Sequence, residues 1–260
     1  MAYRVTVVPN KKRRSAQQVA ESTKAPYGLQ IIESCLSCPL VKERIFCDLP
    51  GPALAALDAI SSSATYPKDA ILFVEGQEPR GVFVLCNGRV KLSTTSADGK
   101  SIIVRIAEAG EVIGLAGSLS GTVYELTAEA LEPLQANFIP REAFLQFLQQ
   151  HGEAAVRVAE ILSKIYHATL LEVRYLGFSS STSEKLARFL LDLPATPVEN
   201  NGYLRAVLTL THKDIGEMIG ASRETVTRLF ANFKRQALIE VHGSSLIITN
   251  KAGLEKILAR

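Results

Sequence analysis

The spacing of apolar residues changes several times along this chain, and each change marks an element. After the break at Asp48-Leu49-Pro50-Gly51, residues 52–60 carry apolar side chains at three-to-four spacing and predict a short helix. From Ser61 to about Pro140 the period drops to two. Four short runs rich in β-branched residues (70–74, 81–85, 89–93 and 102–106) predict strands. Glycines at 76, 81, 88, 99, 110 and 114 punctuate them. Asp98-Gly99 predicts a tight hairpin, since both residues tolerate positive φ. Evenly spaced strands with turn signals predict a compact antiparallel barrel or roll.

Helical spacing returns over 141–176, with a break expected at His151-Gly152. In its second part Val158, Ile161, Leu162, Ile165, Thr169, Glu172, Tyr175 and Leu176 recur at three-to-four spacing. So long a stripe predicts a helix–helix seam; packing on the helix's own domain alone is the competing reading. The stretch from Gly177 to Thr182 reads as a hinge. A further amphipathic helix spans 183–193 and closes at Pro194. A turn at 199–202 and a strand ending at 208–210 follow. The expected organisation is a flexible basic tail (1–30), a cysteine segment with the β-roll (31–150), the long seam helix and hinge (151–180), and a C-terminal domain (181–260). The fold class is α+β.

The most informative segment is 211–235. Two short helices are separated by a tight turn at Gly220-Ala221-Ser222. Ile215, Met218 and Ile219 form the inward stripe of the first, and Val226, Leu229, Phe230 and Phe233 that of the second. Ser222 is placed to cap the second helix. Arg223, Glu224, Thr227 and Arg228 then project outward, as in a recognition helix that enters the DNA major groove. Arginine matches guanine O6 and N7, glutamate accepts from cytosine N4, and threonine can meet a thymine methyl. Thr209, Thr211, His212 and Lys234 are the candidates for phosphate contacts. Residues 238–248 read as a hairpin with a small tip, completing a winged helix-turn-helix.

Charge agrees with this. The net formal charge is +3, and from Lys185 onward 11 Lys and Arg face 7 Asp and Glu, so any polyanion surface belongs to the C-terminal end. Hydrophobic residues make up 47% and mean hydropathy is +0.14. No apolar run approaches the roughly 20 residues of a membrane span. The basic cluster Lys11 to Arg14 follows a short apolar stretch, the reverse of a secretory signal. The expectation is a cytoplasmic protein with no membrane partner. The four histidines (His151, His167, His212 and His242) are scattered, and no Ser-His-Asp, phosphate-loop or HExxH arrangement occurs, so an enzyme is not expected.

Cysteine usage raises a separate question. Cys35, Cys38 and Cys47 lie close together, with Cys-x2-Cys spacing at the start, and Cys86 stands apart on a predicted strand. Two thiolates so spaced can meet one metal or cluster across a tight turn, with a third following. Zinc, thiol–disulfide chemistry or a purely structural role are the alternatives, and a lone Cys86 is compatible with simple burial. A thiol oxidoreductase would need a βαβ context that is absent around Cys35.

Over residues from about 30 to 258 the chain resembles the Crp/Fnr family of bacterial transcription regulators. The residues that carry the resemblance are Ala221 through Arg228, the strand series with Gly88, Gly110 and Ile113-Gly114, and the order of long helix and hinge. The resemblance implies a cyclic-nucleotide-binding-like β-roll and a homodimer that reads a two-fold symmetric operator and recruits RNA polymerase. It implies base contacts from Arg223, Glu224 and Arg228, with half-sites of the TGTGA or TTGAT kind. Thr227 stands where the Fnr branch has serine and the Crp branch glycine, which leaves the exact half-site open. The family's phosphate cassette needs Gly-Glu and Arg-Ser pairs; here Gly114 is followed by Leu115, and Tyr124-Glu125 occupies the second position, so cyclic AMP is not the expected ligand. The cysteine segment resembles the cluster-binding segment of Fnr with a wider second gap. Fnr's fourth ligand aligns with a position at about Asn137, where the expected cysteine is absent, leaving Cys86 as the candidate to complete a 4Fe-4S cluster responsive to oxygen or nitric oxide. Response to an unidentified small ligand, or to thiol oxidation without a cluster, is the other expectation.

Overall fold

A computed structural model describes residues 26–178, 181–198 and 203–258, which group into two compact units, one ending at Glu172 and the other beginning at Val173. The first unit opens with a cysteine-bearing segment of short 3-10 turns and helix α1 (Gly51–Ile60). Eight strands follow: β1 (Ser62–Tyr66), β2 (Ile71–Phe73), β3 (Gly81–Asn87), β4 (Val90–Thr95), β5 (Ser101–Ala107), β6 (Val112–Ile113), β7 (Thr127–Ala130) and β8 (Leu134–Pro140). A short helix α2 (Leu115–Ser120) lies between β6 and β7. The strands pair antiparallel into two sheets, ordered β1-β8-β3-β6 and β2-β7-β4-β5.

Strand β3 explains why an unbroken apolar run is a strand here. Phe83 and Leu85 pack with Phe73, Val90, Leu92 and Leu134 in the core shared by the two sheets. Val82 and Val84, one residue out of phase, join Phe46, Leu57, Phe144 and Phe147 on the outer face, beneath α1 and α3 (Arg141–Gln150). Both faces are covered, so alternation is lost. The β4–β5 hairpin closes at Asp98-Gly99 as expected, although only Gly99 takes positive φ (80°).

The long helix α4 (Gly152–Phe178) follows α3 after a break at His151. Its stripe divides: Ile165 is half-buried and Thr169 exposed, while its first residues turn inward. Val158 is only 4% exposed and belongs to the first unit's core with Ala154, while Ile161 and Leu162 are half-buried against the same cluster. These residues hold the helix to its own roll, the competing reading of that periodicity. Another line on α4 is open: Val156, Ala159, Ser163, Tyr166, Leu170 and Val173 are all exposed, at alternating three- and four-residue spacing. The side chains of Glu172, Tyr175 and Leu176 lie outside the described residues. The helix also continues through Gly177 to Phe178, where a hinge was expected.

The second unit contains α5 (Thr182–Asp192), β9 (Ala195–Pro197), β10 (Leu204–Val207), α6 (His212–Ile219), α7 (Arg223–Arg235), β11 (Ile239–His242), β12 (Ser245–Ile248) and α8 (Lys251–Leu258). Its sheet is ordered β11-β12-β10-β9. Leu186, Leu190, Ile215, Val226, Phe230, Phe233, Leu246 and Leu254 form its core. The strand expected to reach 208–210 ends at Val207. The turn at 199–202 and the basic tail lie outside the described residues. Among the described residues no helix is long and apolar enough to cross a membrane.

Candidate nucleic-acid interface and cysteine site

Helix α6 starts at a capping box. The Thr211 hydroxyl accepts from the Asp214 N–H (3.2 Å), and the Asp214 carboxylate accepts from the Thr211 N–H (2.9 Å) and hydroxyl (2.6 Å). Gly220, at φ 69°, ends the helix in the left-handed region. The turn into α7 is tight because Gly216 has no side chain: a Cβ there would sit 2.6 Å from the Ala221 carbonyl oxygen. Ser222 then caps α7, its hydroxyl accepting from the Thr225 N–H (3.2 Å). Val226, Phe230 and Phe233 are buried, which leaves Arg223, Glu224, Thr227 and Arg228 together on the exposed face. Glu224 is held below the usual carboxylate range by N–H and hydroxyl donors at the helix start, its own N–H and Ser222, so it stands ready as an ionised acceptor. The hairpin β11–β12 turns around Gly243 between His242 and Ser245.

The four expected phosphate-contacting residues divide. Thr209 and Lys234 are exposed. Thr211 has spent both its hydroxyl proton and its N–H on Asp214. His212 is engaged inward: Nδ1 lies 2.9 Å from the Thr227 hydroxyl, and its ring stacks on Phe230 with centroids 4.7 Å apart. Burial, with the positive charges of Lys234 and Arg223, holds its pKa below the ordinary histidine value.

The cysteines come from three separate stretches of the chain. Side chains of the roll hold the cysteine segment down. Asp58 of α1 accepts from the Cys35 N–H (2.6 Å) and the Ser34 hydroxyl (2.8 Å). Gln135 of β8, fully buried, donates to the Ile32 carbonyl (2.6 Å) and the Ser63 hydroxyl (2.7 Å) and accepts from the Ile32 N–H (2.8 Å). Arg44, also buried, donates to the carbonyl of Cys86. Between β3 and β8 the register slips between Leu85 and Asn87, so Cys86 is the extra residue of a bulge. It stands beside Asn137, whose backbone hydrogen-bonds its thiol and whose amide Nδ2 donates to the Cys35 sulfur (3.4 Å). The amide oxygen of Asn137 is buried with no partner.

All four thiols are free; Cys35, Cys47 and Cys86 are buried and Cys38 half-buried. Burial pushes Cys35 and Cys47 up to about 12 and Cys86 up to about 11. Neighbouring thiols add to the rise: Cys47 and Cys86 act on Cys35, and Cys38 acts on both Cys47 and Cys86, while Arg44 opposes it at Cys47 and Cys86. Among the described residues no three His, Cys, Asp or Glu side chains are gathered around one point as a single metal ion needs.

A cavity of about 120 Å³ opens between the roll and α4, lined among others by Phe73, Leu92, Arg105, Tyr124, Glu125 and Leu162. Tyr124 stacks on Phe73 (4.1 Å), and its hydroxyl donates to the Gly81 carbonyl (2.6 Å). Arg105 is paired with Glu111 (2.5 Å).

Two family models match the chain in succession: a cyclic nucleotide-binding domain over residues 64–151 and a Crp-like helix-turn-helix domain over residues 184–257. Among similar proteins, the CRP-like cAMP-activated global transcriptional regulator of Mycobacterium tuberculosis is 23% identical over 84% of this chain and 97% of that protein. The cAMP-activated global transcriptional regulator CRP of Pasteurella multocida is 27% identical over 70% and 88%. The chain belongs to the Crp/Fnr family. It is a DNA-binding transcription regulator of that family, and its relatives are regulators rather than enzymes. Solved structures show the same fold: a CooA variant from Carboxydothermus hydrogenoformans (20% identical, 85% of this chain, 95% of that one, TM-score 0.68) and the c-di-GMP responsive regulator CLP of Xanthomonas campestris (18%, 76%, 99%, TM-score 0.67).

Within this family frame, some residues of the cysteine site carry no motif signal. Asp58, Gln135 and Arg44 sit far along the chain from most of what they hold, and no local spacing joins them. The bulge at Cys86 is equally silent in sequence, because it exists only against β8. The exposed line on α4 was legible at 156, 159, 163, 166, 170 and 173, but a stronger apolar stripe beside it masked it.

Proposed function

We propose that this regulator binds a two-fold symmetric operator as a homodimer, with Arg223, Glu224, Thr227 and Arg228 at the bases, and that its DNA binding answers to an iron–sulfur cluster held by Cys35, Cys38, Cys47 and Cys86. The observation that carries the sensory half is a set of mutual contacts: Asn137 hydrogen-bonds the sulfurs of Cys35 and Cys86, Arg44 acts electrostatically on Cys47 and Cys86, and Cys38 acts on both of those thiols. The donor set fits a 4Fe-4S cluster. Four thiols suffice for its ligation, and a cube of iron and sulfide holds its thiolates further apart than a single zinc ion does. The Asn137 amide supports a sulfur ligand by hydrogen bonding, and the Arg44 guanidinium offsets negative charge in a buried site. Such a cluster supplies a centre that oxygen or nitric oxide can attack. The chain's own part is mechanical: Asp58 and Gln135 clamp the 31–38 segment to the roll, so the state of the cysteines bears directly on how firmly that segment is docked.

A small ligand in the roll cavity is the second reading, favoured by the cavity itself. Cyclic AMP does not suit it: Glu125 would repel a cyclic phosphate, and Arg105 is already paired with Glu111.

The seam of the proposed homodimer is the exposed line Val156, Ala159, Ser163, Tyr166, Leu170 and Val173, whose three-four alternation is that of a two-stranded coiled coil. The test is operator binding by protein purified without oxygen, before and after exposure to air. Binding that changes with air supports the reading. Identical binding in both states, and unchanged by Cys35→Ser, removes the cysteines from the signal and leaves the DNA assignment standing.

A further inference from the structure

His212 and Thr227 lie on different helices of the DNA-binding unit, α6 and α7, yet form one hydrogen-bonded unit. A hydroxyl has a single proton to give. Thr227 gives it to the Arg223 carbonyl one turn back (2.9 Å). The 2.9 Å contact with His212 therefore runs the other way, with Nδ1–H donating to the Thr227 oxygen. The imidazole cannot easily turn away, because its face lies on Phe230 at 4.7 Å and 27°. Two restraints thus hold the Thr227 hydroxyl against the protein. The residue as a whole is exposed on the face that carries Arg223, Glu224 and Arg228.

We propose that His212 is a positioning residue for base readout: it withdraws the Thr227 hydroxyl from the groove and leaves the Thr227 methyl to read the methyl group of a thymine. This rests on the reading of α7 as the helix that contacts bases. It goes beyond that reading by assigning one residue a single chemical target. The thymine C5-methyl is the only apolar feature that a base pair presents in the major groove. A hydroxyl free to rotate would accept or donate and so tolerate several bases. Pinned, it does neither readily, and the contact discriminates by shape and apolarity.

The test uses the full chain and an inverted-repeat duplex that the protein selects from a random-sequence pool. Each thymine is replaced in turn by deoxyuridine, which lacks only the methyl group, and binding is followed by fluorescence anisotropy. The wild type is expected to lose about fourfold in affinity at one thymine per half-site, the value of one buried methyl group, and little at the others. Thr227→Ser keeps the hydroxyl and should lose this ratio. Thr227→Val keeps the methyl and should retain it. His212→Ala should lower the ratio, and His212→Asn, whose amide sets an N–H near the place of Nδ1, should restore it. A wild type indifferent to every thymine methyl, or a ratio intact in Thr227→Ser, overturns the proposal. If Arg228→Ala leaves sequence preference whole, or no duplex is selected, the base-reading helix itself is misassigned and the proposal falls with it. If Arg228→Ala relaxes preference while the thymine ratio ignores residues 212 and 227, only the present inference fails.

Discussion

Two apolar residues three turns apart on α4 should respond oppositely to the same treatment. Val158 is 4% exposed and packs into the core of the roll, whereas Leu170 is 41% exposed on the line of the proposed seam. Val158→Ala removes two buried methyl groups, worth ~1.6 kcal/mol in transfer alone, and incomplete collapse around the gap brings the loss of stability to about 2 kcal/mol. The change touches nothing on the exposed line, so dimerisation should hold. Leu170→Ala removes a side chain that the single chain leaves open, and the stability of the roll should move by less than about 0.5 kcal/mol. In a two-fold dimer the same change is felt twice. At about 2 kcal/mol per truncated leucine, the low end for a buried site, the dimer loses about 4 kcal/mol, or roughly a thousandfold in dissociation constant. Sedimentation velocity over a dilution series reads the second effect, and urea unfolding reads the first. A Val158→Ala protein that dissociates while keeping its unfolding midpoint would refute this assignment of faces, as would a Leu170→Ala dimer that holds together on dilution.

Three further outcomes follow from the geometry. Gly216→Ala forces a Cβ to 2.6 Å from the Ala221 backbone oxygen, where no flexible side chain can give way; unfolding of the DNA-binding unit should be easier by about 1–3 kcal/mol, read by thermal melting. Gln135→Ala strips both hydrogen bonds from the Ile32 backbone, so in metal-free protein Cys35 and Cys47 should react faster with an alkylating reagent than in the wild type, and an unchanged rate would show that Asp58 alone holds the segment. His212 has a pKa lowered in the folded protein, so the unfolded chain takes up its proton first as pH falls. That contribution to stability is present above about 6.5, the unfolded value, and is lost as pH drops toward the lower folded value; the difference in melting temperature between wild type and His212→Asn should shrink over that range.

Much of the second unit was legible because its signals are local. The cap at Ser222, the turn at Gly220 and the stripe Val226, Phe230, Phe233 lie within one turn or two of each other, and the structure forms each of them. The two sheets were less legible. Strands β6 and β7 have two and four residues, too short for a period to declare itself, and β3 hides its alternation because both its faces are covered. The α4 stripe shows a third kind of limit. Spacing identified a helix with an apolar face, but spacing cannot say whether that face meets its own domain or another chain, and the roll claimed the stronger one. For the cysteines, motif spacing found Cys35, Cys38 and Cys47, but their relation to Cys86 is made by a bulge and by pairing across β3 and β8.

The account turns on whether those four cysteines hold a cluster, and the direct measurement is iron and acid-labile sulfide per chain in protein purified without oxygen, with its visible spectrum before and after air. The prediction is about four irons and four sulfides per chain, a visible absorbance that air bleaches, and loss of both in Cys86→Ser but not in Asn137→Ala. Colourless, iron-free protein that binds its operator equally well with and without oxygen would contradict it.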